Sequence, residues 1–441
     1  MNNLAAPTVQ SHVSPHAARR TALACMVALA VALGVGRFAF TPLLPLMLHG
    51  GALDIRQGGW LASLNYAGYF VGAIGCAALR VDAARMVRAG LALTVLLVLA
   101  MGVTQQFWVW AAVRFVAGAV SAWTFVFASQ WGLRRLADLR ANEWGGVIYT
   151  GPGVGIAGTG LLVSAASGYG ASAGWIGFGL LSAVLTVLVW RTFEPSACAS
   201  ATDANAANAG QAPQRPAHSQ AQQAQAEHGQ AEHGQAEHRH HPAHLHRADA
   251  FWLIVLYAVP GFGYIITATF LPVIARAALP AGSPWPDLFW PMLGLALVAG
   301  ALVGARLPSH WDNRTLLAAC YVLQALGIAA GIVSPTATGF SLGSTLIGLP
   351  FTAITLFAMR EARRLHGDDA ASLMGYATAA YGLGQIAGPL VAAPIAAHTG
   401  SFTLALWLAA LTLLAGAAGL VAVTMLRPAR PKTNSASGAL K

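Results

Sequence analysis

Charge is what this 441-residue chain has least of: Asp, Glu, Lys and Arg together make up 9%, against about 25% in soluble domains. Lysine is confined to Lys432 and Lys441, and 15 acidic residues face 25 basic ones. Paired cysteines are lacking too. Cys25, Cys76, Cys198 and Cys320 are scattered and mostly sit inside apolar runs, which excludes a disulfide scaffold. So little polar material could not coat a globule of this size, and a soluble enzyme with one catalytic core is excluded with it. No Walker lysine motif occurs, so ATP-driven transport has no support. What fills the chain instead is hydrophobic residue, 56% of the total, with 48 glycines besides. It comes in blocks of about twenty, the length that crosses a bilayer core.

Twelve such blocks can be read, at 22–47, 58–79, 89–104, 107–131, 145–167, 172–193, 250–275, 288–307, 315–334, 338–359, 370–397 and 401–426. The first is too long for a signal peptide and no small-residue cleavage site ends it. Charge placement tests the count independently. With the N-terminus inside, only Arg56 and Arg276 of the 25 Lys and Arg fall in outer loops, and only Arg37 and Arg114 fall within spans. The other 21 are cytoplasmic or at that edge, as the positive-inside rule requires. The net +10 thus reflects topology and anionic lipid headgroups, and no aromatic-interleaved basic patch supports nucleic-acid binding.

The domain organisation follows: a cytoplasmic tail 1–21, a six-span half 22–193, a polar segment 194–249, a second six-span half 250–426 and a tail 427–441. The central segment is rich in Ala, Gln and His and carries no apolar periodicity, which predicts a disordered cytoplasmic linker. The halves look alike. Gly34-Val35-Gly36-Arg37 through Leu44-Pro45 aligns without gaps to Gly261-Phe262-Gly263-Tyr264 through Leu271-Pro272 at a constant offset of 227. Gly151-Pro152 in the fifth span likewise parallels Gly388-Pro389 in the eleventh. Six spans per half give both copies one orientation, an arrangement that places a binding site between them near the midplane.

Here the chain resembles the major facilitator superfamily over essentially all of 20–426. Arg114-Phe115-Val116-Ala117-Gly118 looks like that superfamily's Arg-x-x-x-Gly motif, and Gly151-Pro152 through Gly155 like its Gly-Pro-x-x-Gly motif. Its loop signature is eroded to Asp82, Arg85 and Arg88, with Asp312 and Arg314 as an equally poor second copy. The run Gly34 to Met47, with Gly261 to Ile266, Phe270 to Pro272 and Tyr381 to Pro389, is similar to the YbfB/YjiJ-type branch. The resemblance implies an all-α fold of twelve transmembrane helices in two parallel halves and a secondary transporter working by alternating access. It leaves the cargo open.

The ionisable inventory inside the spans is small. Arg37 and Arg114 lie about 15 Å and about 10 Å from the outer ends of their spans. A charge at that depth costs at least about 2.5–3.5 kcal/mol on insertion scales, so it should face protein or a watery cavity. Each guanidinium either receives an anionic group, whose geometry its fork matches, or binds a helix-end carbonyl or a loop carboxylate and merely locks two helices. Tyr264 holds the position that matches Arg37 in the second half. Asn65, Tyr381 and Gln385 are polar at plausible depth, either lining the cavity or joining helices. The glycines Gly34, Gly36, Gly151, Gly155, Gly261, Gly263 and Gly388, with Pro152, Pro389, Asp82, Arg85, Asp312 and Arg314, read as helix-packing or gating positions. Gly153-Val154-Gly155-Ile156-Ala157-Gly158 satisfies a dinucleotide fingerprint but lacks the preceding strand and the acidic residue, so it reads as helix packing.

In the linker His228, His233, His238, His240 and His241 could bind Zn²⁺, Ni²⁺ or Cu²⁺, or are low-complexity drift. The partners expected are a small-molecule substrate and the lipid bilayer, with no cofactor, nucleotide or nucleic acid, and the chain reads as a monomer. The leading function is transport of a small organic anion. Export of amphipathic or drug-like compounds is the alternative in the same fold, and a membrane sensor or metal-responsive regulator the alternative of another class. No enzyme is expected. The dominance of Arg over Lys, with abundant Ala and Gly, points to a bacterial inner membrane.

Overall fold

In hydrocarbon every backbone N–H and C=O must be satisfied within its own segment, and helices follow from that alone. The computed structural model describes residues 15–79, 81–194, 243–304, 306–308, 310–367 and 370–426, and no strand occurs among them. The spans in order are α1 (Pro15–Leu29) with α2 (Phe40–His49), α3 (Ile55–Gly75), α4 (Ala83–Val103), α5 (Phe107–Asp138), α6 (Gly145–Ile148) with α7 (Gly151–Ala166), and α8 (Gly170–Trp190). In the second half they are α9 (Ala243–Ala278), α10 (Trp285–Gly304), α11 (Asn313–Val333), α12 (Ala337–Gly348) with α13 (Phe351–His366), α14 (Ala370–Thr399) and α15 (Thr403–Leu426). Among the described residues eleven helical segments are long and apolar enough to cross a membrane. The twelfth, α3, has the same length but carries Arg56, Gln57 and Asn65, which dilute its hydropathy.

The two faces of the bundle differ in charge. Arg19, Arg20, Arg85, Arg135, Arg191 and Arg363 lie on one, here the basic face, and Arg56 and Arg276 on the opposite face. The halves dock through two matched seams, the second span on the eleventh (α3 with α14) and the fifth on the eighth (α7 with α10). Near the centre the Thr41 hydroxyl donates to the Ala268 carbonyl at 2.9 Å. These residues are 227 apart, the offset of the repeat, so the pseudo-twofold axis passes between a position and its own duplicate.

Each half closes by backbone contact at small residues. A Cβ on Gly34 would overlap Gly155 Cα, and one on Gly261 would overlap the Tyr381 carbonyl oxygen. Small-residue packing of this kind lets transmembrane helices approach closely. It also corrects the second repeat pairing. Gly151 lies against the Met26 carbonyl, whereas Gly388 lies against Ile265. At the repeat offset Met26 corresponds to Leu253, well short of Ile265, so the two Gly-Pro pairs sit at different depths, about two turns apart. Gly155 and Gly384 are the true counterparts, for each meets the glycine of the offset pair, Gly34 and Gly261. The dipeptide match is coincidence of composition.

Two further boundaries differ from expectation. The seventh span begins at Ala243, inside the segment read as linker, and its Asp249 is held by Arg314 at 3.0 Å. The tenth continues to His366, past the point where charge in the sequence suggests a loop. Its Glu361 is 1% exposed and joined to Arg314 and to Arg364, each at 2.6 Å. A buried carboxylate is tolerated there because two guanidiniums neutralise it. His228, His233, His238, His240 and His241 lie outside the described residues, and among those described no cluster of His, Cys, Asp or Glu could hold a metal ion.

Candidate functional site

The first span is broken at mid-depth, and the break makes the site. After α1 the chain forms a π-helix over Ala30–Val35, turns through 36–39 and resumes as α2. A π-helix inside an α-helix leaves carbonyls without their usual partners. Arg114, on α5, supplies them: Nη2 donates to the Arg37 carbonyl at 3.2 Å and Nη1 to the Gly36 carbonyl at 3.4 Å. Its guanidinium also lies 4.7 Å from the Phe40 ring centroid. Asn65 on α3 donates in turn to the Arg114 carbonyl at 2.8 Å. Of the two readings open for Arg114, its contacts fit the second, a cation binding helix-end carbonyls.

Arg37 is left to face inward from the turn that Arg114 holds. It is buried, and Nη2 donates to Gln385 Oε1 across the two halves at 2.9 Å. Gln385 Nε2 then donates to the Tyr264 hydroxyl. Positions 37 and 264, equivalent in the repeat, are therefore joined through one glutamine of the eleventh span. The guanidinium lies 4.0 Å from the Tyr69 ring centroid, 5.0 Å from that of Tyr66 and 5.2 Å from that of Phe38. Cation–π contact offsets part of the cost of the buried charge. No acidic residue pairs with Arg37 among the described residues, and its Nε has no partner. On the far side Tyr381 stacks between Tyr257 and Tyr264, with centroids 4.9 Å and 6.1 Å away.

Among the described residues, four side-chain hydrogen bonds cross between the halves, at the level of Arg37 or between it and the opposite face. They are Arg37 to Gln385, Thr41 to Ala268, Ser63 to the Ile386 carbonyl at 2.8 Å, and Tyr66 with Thr269 at 3.0 Å. These bonds tie the halves together on that side of the site.

Arg37, Gln385, Tyr264 and Tyr381 of the expected set thus come together, with Arg114 and Asn65 behind them. Asp82 and Asp312 stand apart at the basic face, capping α4 and α11 by accepting from the backbone N–H of Arg85 and Thr315. Gly263 packs on Leu413, and Gly36 against Thr94. Pro152 opens α7, and the Pro389 carbonyl meets Gly59 of the second span. The residues missed are Tyr66 and Tyr69. Their spacing of three puts them on one helix face, and a second aromatic one turn from the first was the available signal.

Two parallel six-helix halves docked by the second span on the eleventh and the fifth on the eighth make the major facilitator fold. A crystal structure of a point mutant of the nucleoside transporter NupG shares it, with a TM-score of 0.69 at 14% identity over 91% of this chain and 99% of that one. No curated protein matches the chain. The chain belongs to the family described as "Uncharacterised MFS-type transporter YbfB", whose profile matches residues 29–223 and 219–422. It is therefore a multi-pass membrane protein of a transporter family, with a small-molecule substrate.

Proposed function

We propose that the protein is a secondary transporter of a small organic anion, working by alternating access of its halves. The observation that carries this reading is Arg37: a buried cation at the interface of the halves, with an unpartnered Nε and no carboxylate. Buried charges are normally paired, and intramembrane ionisable residues default to function. A carboxylate or phosphate would complete the site by replacing Gln385 at the guanidinium fork. The Tyr257–Tyr381–Tyr264 stack supports a second reading, an amphipathic aromatic cargo. A nucleoside, which the named neighbour carries, would offer a flat base to that stack but no charge to Arg37.

Coupling runs through the substrate's own charge or through exchange. Of the carboxylates in or beside the spans, Glu361 and Asp249 pair with Arg314 at the basic face, Asp287 pairs with Arg276 at the opposite face, and Asp54 caps α3 there. Counterflow in proteoliposomes tests the reading, since it needs no proton gradient. Exchange of labelled organic acids should survive an uncoupler and be competed by unlabelled anions. Competition by nucleosides or cationic aromatics alone would overturn it.

The membrane is read as the bacterial inner membrane, with both termini and the central segment cytoplasmic, on the 21-to-2 split of basic residues between the faces. Reporter fusions after Arg191 and after Lys441 should both give cytoplasmic signals. A periplasmic signal from either breaks the topology.

A further inference from the structure

Away from the interface of the halves, a groove of about 490 Å³ runs between the start of α1 and the end of α8 on the basic face. Its rim carries His16, Arg19 and Arg20, all exposed, and its walls are Leu23, Val27 and Leu188. Leu188 is 71% exposed. Arg20 reaches across the rim to the Thr192 hydroxyl through a long 3.4 Å contact, and Arg19 makes no side-chain hydrogen bond or ion pair among the described residues. The neighbouring Arg88 is different, since it is committed to Trp190 by a 3.1 Å bond to its carbonyl and by stacking at 5.3 Å. The one carboxylate nearby in sequence is Glu194, exposed and two residues beyond Thr192.

We propose that this groove is a binding site for one anionic glycerophospholipid, its phosphate between Arg19, Arg20 and His16 and an acyl chain along Leu23, Val27 and Leu188. The argument is complementarity at both ends. The unbonded Arg19 guanidinium and the exposed, loosely held Arg20 attract a phosphate at the headgroup level, and basic pockets between transmembrane helices on this side suit acidic headgroups. The apolar walls lead from that rim down the two spans, so the ligand must be amphipathic as well as anionic. A soluble phosphate or acidic peptide would leave the walls uncovered. The occupant ties the foot of the first span to the sixth within one half, and the inference does not depend on what the transporter carries.

Native mass spectrometry of the full chain tests it. The protein is released from vesicles of phosphatidylcholine doped with phosphatidylglycerol, and bound lipids are counted. One phosphatidylglycerol should be retained in clear excess over phosphatidylcholine. Arg19→Gln and Arg20→Gln should each lower that retention roughly fivefold, and Leu188→Gln, which makes the exposed apolar wall polar without changing charge, should lower it too. The exposed pair Arg135→Gln and Arg140→Gln, also on the basic face, should leave it unchanged. Equal retention of both lipids would overturn the proposal. So would equal losses in the two arginine pairs, which would mean diffuse attraction to the whole basic face.

Discussion

Replacing Arg37 by Gln should abolish counterflow of organic anions while the protein remains in the membrane at normal abundance. Truncating one member of a buried, hydrogen-bonded charge pair costs about 2–5 kcal/mol, roughly thirtyfold or more in affinity. Abundance should hold because the side chain has no ion-pair partner to strand, and the turn at 36–39 is held by its carbonyls through Arg114. Arg37→Lys keeps the charge and loses the fork, so its loss should be smaller, roughly tenfold. Counterflow of labelled anion into proteoliposomes, normalised to protein, reads both. Robust exchange by the Gln variant would remove Arg37 from the binding site.

Glu361→Gln should produce the largest loss of stability. The carboxylate is 1% exposed and accepts from Arg314 Nε and Arg364 Nη2, each at 2.6 Å. Without it two guanidiniums are left together, with Asp249 the remaining carboxylate bonded to Arg314. Breaking a buried ion pair by removing one partner costs about 3–5 kcal/mol. The thermal midpoint of detergent-purified protein should fall accordingly. The double variant Arg314→Gln, Glu361→Gln should lose less than the sum of its single losses, because the residues share one network. Arg364 is one-third exposed, so Arg364→Gln alone should cost about 1 kcal/mol or less. An unchanged midpoint in Glu361→Gln would show the network to be inert.

The repeat made part of the site legible before any coordinates. The offset of 227 pairs Arg37 with Tyr264, and the two are in fact bridged by Gln385. Gln385 and Tyr381 were legible only as polar residues at plausible depth, able to line the cavity or to join helices. Rotation about the helix axis was not legible. Most of these spans are apolar all round, so hydropathy does not say which face a residue takes. That is why Asn65 and Arg114 could not be sorted from the lining residues, and why Tyr66 and Tyr69 were passed over. Glu361 was hidden for another reason: charge in a sequence ends a span by rule, and only the approach of α11 with its Arg314 shows that this one is neutralised in place. The π-helix at Ala30–Val35 leaves no compositional mark at all, since its residues are the small and apolar ones of any span.

A chain that folds as two copies of one unit about an axis would, in an ancestor built from two identical subunits, have set a residue against itself wherever the axis passes. At the position of Arg37 the two copies differ. In this chain one copy carries a guanidinium, the other a phenol, and a glutamine spans the difference. The scaffold is still nearly symmetric, but its centre has become a dipole with one cationic pole. A cargo with a single negative end therefore has one way round to sit. If the cargo is the organic anion proposed above, a second negative end would find a hydroxyl where it needed a charge.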